Sequence, residues 1–244
     1  MFILMAAIAC LCRPADGGPP FLTDDPDPVA FRHWELYAFS TLDKAAEQTE
    51  VRAPAFELTY GFAPNFEVNL IFPVLASVPE DGSPAYGPGD LELGVKWRFL
   101  HETDRSPMAG IAPILSVPTG EEDRGLGNGR AWARLPVWLQ KSWGRQGRQW
   151  TTYGGGGWAI NTAAGQRSYP FGGWLLQKEL TERLVLGGEL FAWGKTEDGG
   201  RAGLIGNFGG YYNFTSSFSL LVTVGHTIAG QRRLVSYVGL FWTW

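Results

Sequence analysis

In the stretch "LELGVKWRF", Leu91, Leu93, Val95, Trp97 and Phe99 alternate with Glu92, Gly94, Lys96 and Arg98. Successive side chains of an extended chain point to opposite faces, so the stretch reads as a strand with one apolar wall and one polar wall. "FELTYGF" repeats the pattern, setting Phe56, Leu58, Tyr60 and Phe62 opposite Glu57 and Thr59. "FEVNLIF" sets Phe66, Val68, Leu70 and Phe72 opposite Glu67 and Asn69, and "FSLLVTV" sets Leu220, Val222 and Val224 opposite Ser219 and Thr223. The chain ends on "YVGLFWTW", where Val238, Leu240, Trp242 and Trp244 share one face and Tyr237, Gly239, Phe241 and Thr243 the other.

Segments of this kind predict about twelve strands of roughly ten residues, the length of a tilted membrane strand. They fall near 31–42, 50–62, 65–78, 89–101, 107–118, 130–143, 149–161, 168–180, 183–195, 202–214, 217–229 and 233–244. The connections alternate in character. "GFAPNF", "HETDRSP", "WGRQGRQ", "LTERL" and "NFTSSF" are short, whereas "STLDKAAEQTE", "PEDGSPAYGPGD", "PTGEEDRGLGNG", "NTAAGQRS" and "GKTEDGG" tend to be longer and more polar. Short turns on one rim and longer loops on the other predict an all-β fold, a closed antiparallel transmembrane barrel of about 12 strands. An even strand number then places both barrel ends in the periplasm of a bacterial outer membrane, with outer-membrane lipid and lipopolysaccharide as partners. The competing reading of the last strand is a buried edge in a soluble sandwich, but so many outward Trp and Phe would leave that sheet with a sticky wall.

Composition sharpens this picture. There are 33 glycines in 244 residues, well above the usual ~7%, aromatics reach 14% with 11 Trp, and charged residues are only 18%. A net charge of -4 gives no basic footprint for nucleic acid. At the start, "MFILMAAIACLCRPADGG" has an apolar run from Phe2 to Leu11 and small residues near Ala15, so 1–17 reads as a signal peptide without the usual positive beginning. A buried first strand, a short anchor and lipoprotein cleavage at Cys10 are the alternatives. Cys10 and Cys12 both lie in this leader, which leaves 18–244 without a thiol for catalysis, disulfides or metal. The organisation expected is thus 1–17 leader, 18–30 an N-terminal periplasmic or plug segment, and 31–244 barrel.

The inward-facing charges are the candidate lumen residues: Glu35, Glu57, Glu67, Glu92, Lys96, Arg98, Arg134 and Glu189. They either fill a narrow barrel as a salt-bridged network or line a polar pore. Strand rise brings Glu57, Glu67, Lys96 and Arg98 within reach of one another, so these four are expected to form one network, with Glu189 or Glu35 as further members. "GPPFLTDDPDPV" precedes the first strand and is too rich in proline for a regular element. It reads either as a loose tail or as a plug, anchored by Phe21 and Leu22, with Asp24, Asp25 and Asp27 meeting lumen cations. At the other end, Gly239, Trp242 and Trp244 match the terminal signal by which outer-membrane barrels are recognised for insertion, which implies the barrel-assembly machinery as a partner.

Enzymatic chemistry finds little support. A lipid-hydrolysing barrel needs a serine or carboxylate near a histidine at the outer leaflet. His33 and His101 fall at the wrong rim, His226 is followed by Thr227, and no His-x-Ser pair occurs. "GLGNG" lacks the spacing of a dinucleotide fingerprint and reads as a flexible loop. Glu121, Glu122 and Asp123 read as solvated loop acids, with cation binding as the alternative. No cofactor or metal is expected.

In this order along the chain, "GPPFLTDDPDPV", "HWELYAFS", "LELGVKWRF", "SVPTG" and "GLGNG" resemble the outer-membrane proteins grouped under the meta-pathway of phenol degradation, often labelled "transporter". The resemblance implies a barrel of about twelve strands and passage of small compounds, aromatic or hydrophobic among them. A passive channel is therefore the leading expectation. A non-conducting structural or surface barrel is the alternative, and an outer-membrane lipid hydrolase a remote one.

Overall fold

The computed structural model describes residues 19–46, 48–80, 83–145 and 147–244; the 1–17 leader lies outside them. Fourteen strand segments follow one another: β1 (Trp34–Ala45), β2 (Gln48–Ala63), β3 (Phe66–Pro79), β4 (Ala85–Pro88), β5 (Leu91–Leu100), β6 (Met108–Ile111), β7 (Ile114–Val117), β8 (Trp132–Trp143), β9 (Trp150–Asn161), β10 (Tyr169–Glu179), β11 (Leu184–Trp193), β12 (Gly203–Asn213), β13 (Phe218–Ala229) and β14 (Arg233–Thr243). Every pairing is antiparallel to a neighbour. β4 and β5 both pair with β3 and continue each other across Gly89 and Asp90; β6 and β7 both pair with β5 and β8 and continue each other across Ala112 and Pro113. The fourteen segments thus form twelve staves, and β1 pairing with β14 closes the barrel.

Two departures from the predicted strands have a physical cause. The fourth stave starts at Ala85, inside a stretch read as loop, because Ala85–Pro88 pairs with Val74–Ser77 and its Tyr86 faces outward, 60% exposed. In β2 the register slips between Arg52 and Ala55, around Pro54. Proline has no N–H for the ladder, so the strand bulges there and the inward–outward phase shifts by one.

The alternation assigns the faces as the pattern implies. Leu93, Val95, Trp97 and Phe99 are exposed to the lipid side, while Glu92 and Lys96 are buried inside. At the rim with the short turns, outward rings stack into a girdle. Trp34 lies on Tyr60 at 4.3 Å, Phe66 on Trp97 at 5.6 Å, and Phe218 on Trp242 at 5.0 Å. Rings with an apolar body and a polar edge are stable where lipid meets water. Within this rim the chain ends. Trp244 and Trp34 exchange backbone hydrogen bonds of 2.9 and 3.1 Å, and Trp244 is 58% exposed. Gly239 faces inward, where Tyr237 and the Phe39 Cβ approach within 3 Å of where its own Cβ would be.

Candidate functional site

Residues 19–33 do not join the wall. They leave β1 at the short-turn rim and cross the lumen. Ala30 and Arg32 hydrogen-bond to His33 and Gly61 at the rim. The Val29 N–H donates to Glu67 of β3 at 2.6 Å. Asp27 pairs with Arg98, and Asp24 with Lys96 at 3.1 Å, both on β5. On the opposite wall the Leu22 and Thr23 N–H groups donate to Glu189 of β11, and the Thr223 hydroxyl of β13 donates to the Pro20 carbonyl at 2.8 Å. Phe21 packs with Tyr153 and Leu175, which are 1% and 0% exposed.

The composition of the segment suits this place. A backbone N–H in a water-poor interior needs an acceptor. Pro19, Pro20, Pro26 and Pro28 have none to satisfy. Lumen carboxylates take the N–H groups of Leu22, Thr23 and Val29, while Asp24 and Asp25 take those of Asp25 and Asp27. The wall makes room by lacking a side chain: a Cβ on Gly173 would lie 2.1 Å from the Thr23 hydroxyl.

Of the expected network of Glu57, Glu67, Lys96 and Arg98, only Glu67 and Lys96 meet, and a separate cluster lies around Glu92. Lys96 sits among Asp24 at 3.1 Å, Asp25 at 3.7 Å and Glu67 at 3.8 Å. Burial pushes the Asp25 carboxyl well above the usual carboxylate range, against the pull of Lys96. Arg98 pairs with Asp27 and Asn65, not with a wall carboxylate. Glu57 accepts from Asn69 at 2.8 Å, Glu35 from the Tyr37 hydroxyl at 3.0 Å, and Glu189 from Asn207 and the segment. The second cluster lies nearer the long-loop rim, where Glu92 is held between Arg52 at 3.1 Å and Arg134 at 3.2 Å. Leu22 does not anchor the segment as expected: its side chain is 47% exposed, and Phe21 holds the apolar contact alone.

Removing one partner of a buried charge cluster costs about 3–5 kcal/mol, because the others stay buried and unpaired. Lys96→Met takes the cation from three carboxylates. We expect a loss of that order, read as a lower urea midpoint for the refolded barrel in detergent. An unchanged midpoint would show the cluster to be hydrated and energetically idle.

Sequence reasoning missed two groups. Arg52 was not placed inside because the Pro54 bulge moves it to the same face as Ala55 and Glu57. Trp138, Phe171, Phe191 and Trp193 were not placed inside because apolar residues were assigned to lipid. They form an inward ladder with centroid steps of 6.3, 6.2 and 6.5 Å, and the Arg233 guanidinium lies 5.7 Å over Trp193. Phe191 also flanks the empty Cβ position of Gly173, so the ladder meets the threaded segment at Thr23. The lumen therefore has a charged wall on β2, β3, β5 and β8 and an aromatic wall on β8, β10 and β11.

Among the described residues no histidine hydrogen-bonds a serine or a carboxylate. His33 Nδ1 meets the Phe31 carbonyl, His101 is exposed, and His226 faces outward with Nδ1 at the Thr227 carbonyl. Glu121 pairs with Arg124 at 2.9 Å beside the exposed turn Glu122–Arg124.

No protein-family model matches the chain, and no curated protein matches it in sequence. Among solved structures it is similar to an outer membrane channel from Pseudomonas putida F1, with a TM-score of 0.71 and 14% identity over 90% of this chain and 98% of that one. It is also similar to the translocator domain of the autotransporter NalP from Neisseria meningitidis (TM-score 0.56, 12% identity, 86% and 88% covered). A third likeness is to the KdgM porin (TM-score 0.54, 10% identity, 84% and 98% covered). At these identities the likeness establishes a fold, the closed antiparallel barrel of outer-membrane proteins.

Proposed function

We propose that this chain is a passive outer-membrane channel for small apolar or aromatic compounds, closed at rest by its own N-terminal segment. The short-turn rim is assigned to the periplasm and the long-loop rim to the outside. One observation carries the reading: the lumen is blocked by a piece of chain that is not part of the wall. A barrel meant to stay shut can be filled by inward side chains alone. Here the stopper is a separate segment held by hydrogen bonds and ion pairs to Glu67, Lys96, Arg98, Glu189 and Thr223. Such contacts exchange with water at little net cost once water enters.

The aromatic ladder supports the class of permeant. Phe171, Phe191 and Trp193, half-buried and backed by the buried Trp138, offer ring surface along the outer half of the lumen, and each offset-stacked or edge contact contributes about 0.5–1.5 kcal/mol. Lipopolysaccharide resists neutral hydrophobic solutes, so the protein's contribution is measurable in cells. Cells carrying the barrel without residues 20–29 are expected to take up a radiolabelled neutral monoaromatic faster than cells without it. Phe171→Ala with Phe191→Ala should remove that gain while leaving a heat-modifiable barrel. Equal uptake with and without the protein would sink the aromatic reading.

The alternative, a non-conducting structural barrel, draws support from the dry middle of the lumen, where Tyr153, Leu175, Glu67 and Asp25 are all nearly inaccessible. Conductance of the barrel without its stopper separates the two.

A further inference from the structure

The loop between β7 and β8 was read from sequence as flexible, yet it is folded down onto the inner face of the barrel mouth. Its two legs are pinched together by one carboxylate. Asp90, between β4 and β5, accepts the Gly120 N–H at 2.9 Å through Oδ1 and the Asn128 N–H at 2.7 Å through Oδ2. Thr119 completes the clasp: its hydroxyl donates to the Gly89 carbonyl at 3.1 Å and accepts the Leu91 N–H at 3.0 Å. The legs approach so closely that a Cβ on Gly120 would lie 2.1 Å from the Leu126 carbonyl oxygen. On the neighbouring stave, Asn128 and Asn161 exchange side-chain amide hydrogen bonds of 3.2 and 3.1 Å, which ties the loop to the end of β9.

What the loop covers shows where it points. Leu126 is 0% exposed. A Cβ on Gly87 would lie 3.1 Å from the Leu126 side chain, and one on Gly125 would lie 3.1 Å from the Ser77 hydroxyl. Gly87 pairs directly with Leu75, and Leu75 and Ser77 share the inward face of β3 with Glu67. Ser77 sits two residues from the outer end of its strand and is still only 4% exposed. At an open mouth that hydroxyl would be wet; here the loop and Gln48, 2.9 Å away, enclose it. Leu126 is thus an apolar side chain folded down beside Leu75 on the inner face, held there by a half-buried clasp.

We infer that the loop from Pro118 to Gly129, clasped by Asp90, is a size-selecting constriction at the outer mouth, distinct from the N-terminal stopper. This rests on the channel reading above. It bears on which molecules reach the aromatic ladder, whereas the stopper bears on whether anything leaves it. The two barriers are held by separate residues, so they can be removed separately.

The test compares two purified barrels in liposome swelling and planar bilayers: one lacking residues 20–29, and one that also carries Asp90→Ala. The first is expected to admit monosaccharides and exclude a trisaccharide, and the second to admit both with a larger single-channel step. Leu126→Ser on the same deletion should do likewise without touching the clasp, which guards against an Asp90 variant that folds poorly. Hydrogen exchange at the Gly120 and Asn128 amides should quicken in the Asp90 variant alone. Equal exclusion limits and equal steps in all three barrels would overturn the constriction. If the deletion alone is silent, the loop is the remaining barrier when Asp90→Ala opens it; continued silence in both double variants overturns the constriction and counts against the channel reading as well.

Discussion

A barrel lacking residues 20–29 is expected to conduct in a planar bilayer where the full chain is nearly silent. The interior of an eight-stranded barrel is filled by its own side chains, and barrel diameter grows with strand number. Twelve staves leave a lumen that wall residues alone do not fill, and here the remaining space is taken by the threaded segment. Its removal deprives Lys96 of Asp24 and Asp25, Arg98 of Asp27, and Glu189 of two N–H donors. Those charged groups must then hydrate, which draws water through the middle of the lumen. Arg98→Ala frees only the Asp27 end, so its effect should be smaller: brief openings from a mostly closed level. A deletion barrel that folds, shows heat modifiability and stays silent even with Asp90→Ala would favour the structural reading.

Removal of Trp242 to Trp244 is expected to abolish the inserted barrel. This short truncation deletes the final pairs of the closing seam, Leu36 with Trp242 and Glu35 with Thr243, and the mutual bonds of Trp34 and Trp244. The N–H and C=O of Trp34 are then left at the lipid boundary without partners, and each unsatisfied backbone group in a membrane costs several kcal/mol. The truncation also removes the stacking of Phe218 on Trp242 and the outward terminal ring. The expected outcome in cells is no heat-modifiable species in the outer membrane, with protein degraded or retained in the periplasm. Normal insertion of the truncated chain would show that neither the seam nor the aromatic end governs assembly.

Much of this architecture was legible because the side-chain period of a strand is two. Wherever apolar and polar residues alternate strictly, as in Leu91 to Phe99, the face of every residue follows from one assignment. The reading failed where that premise failed. Pro54 shifts the phase of β2, which brought Arg52 inside unseen. In β10, Phe171 and Leu175 face inward while Trp174 and Leu176 face lipid, so hydrophobicity no longer separates the walls. The ladder was hidden for that reason. A signal existed: the glycines at 155 and 173, on one inward row with Trp138 and Phe191, mark where rings and segment need space. The charge partners were open between two readings. Lys96 was matched to wall carboxylates in one and to the aspartates of the N-terminal segment in the other, and the aspartates reach closer. Composition also misled in the β7–β8 loop, where "GLGNG" suggests mobility and instead allows the close approach that buries Leu126.

The threaded segment has a further consequence, for the order in which the molecule can form. Pro20 bonds to a residue 203 positions away, Thr23 to one 166 away, and the seam joins the first strand to the last. Contacts of such sequence separation close the longest loops and form slowly. The ring cannot shut until the final strand is in place, because β1 pairs with β14. Until that moment both sheet edges and the lipid-facing wall are open to wrong partners. This topology ties the seating of the stopper to the closing of the seam that surrounds it.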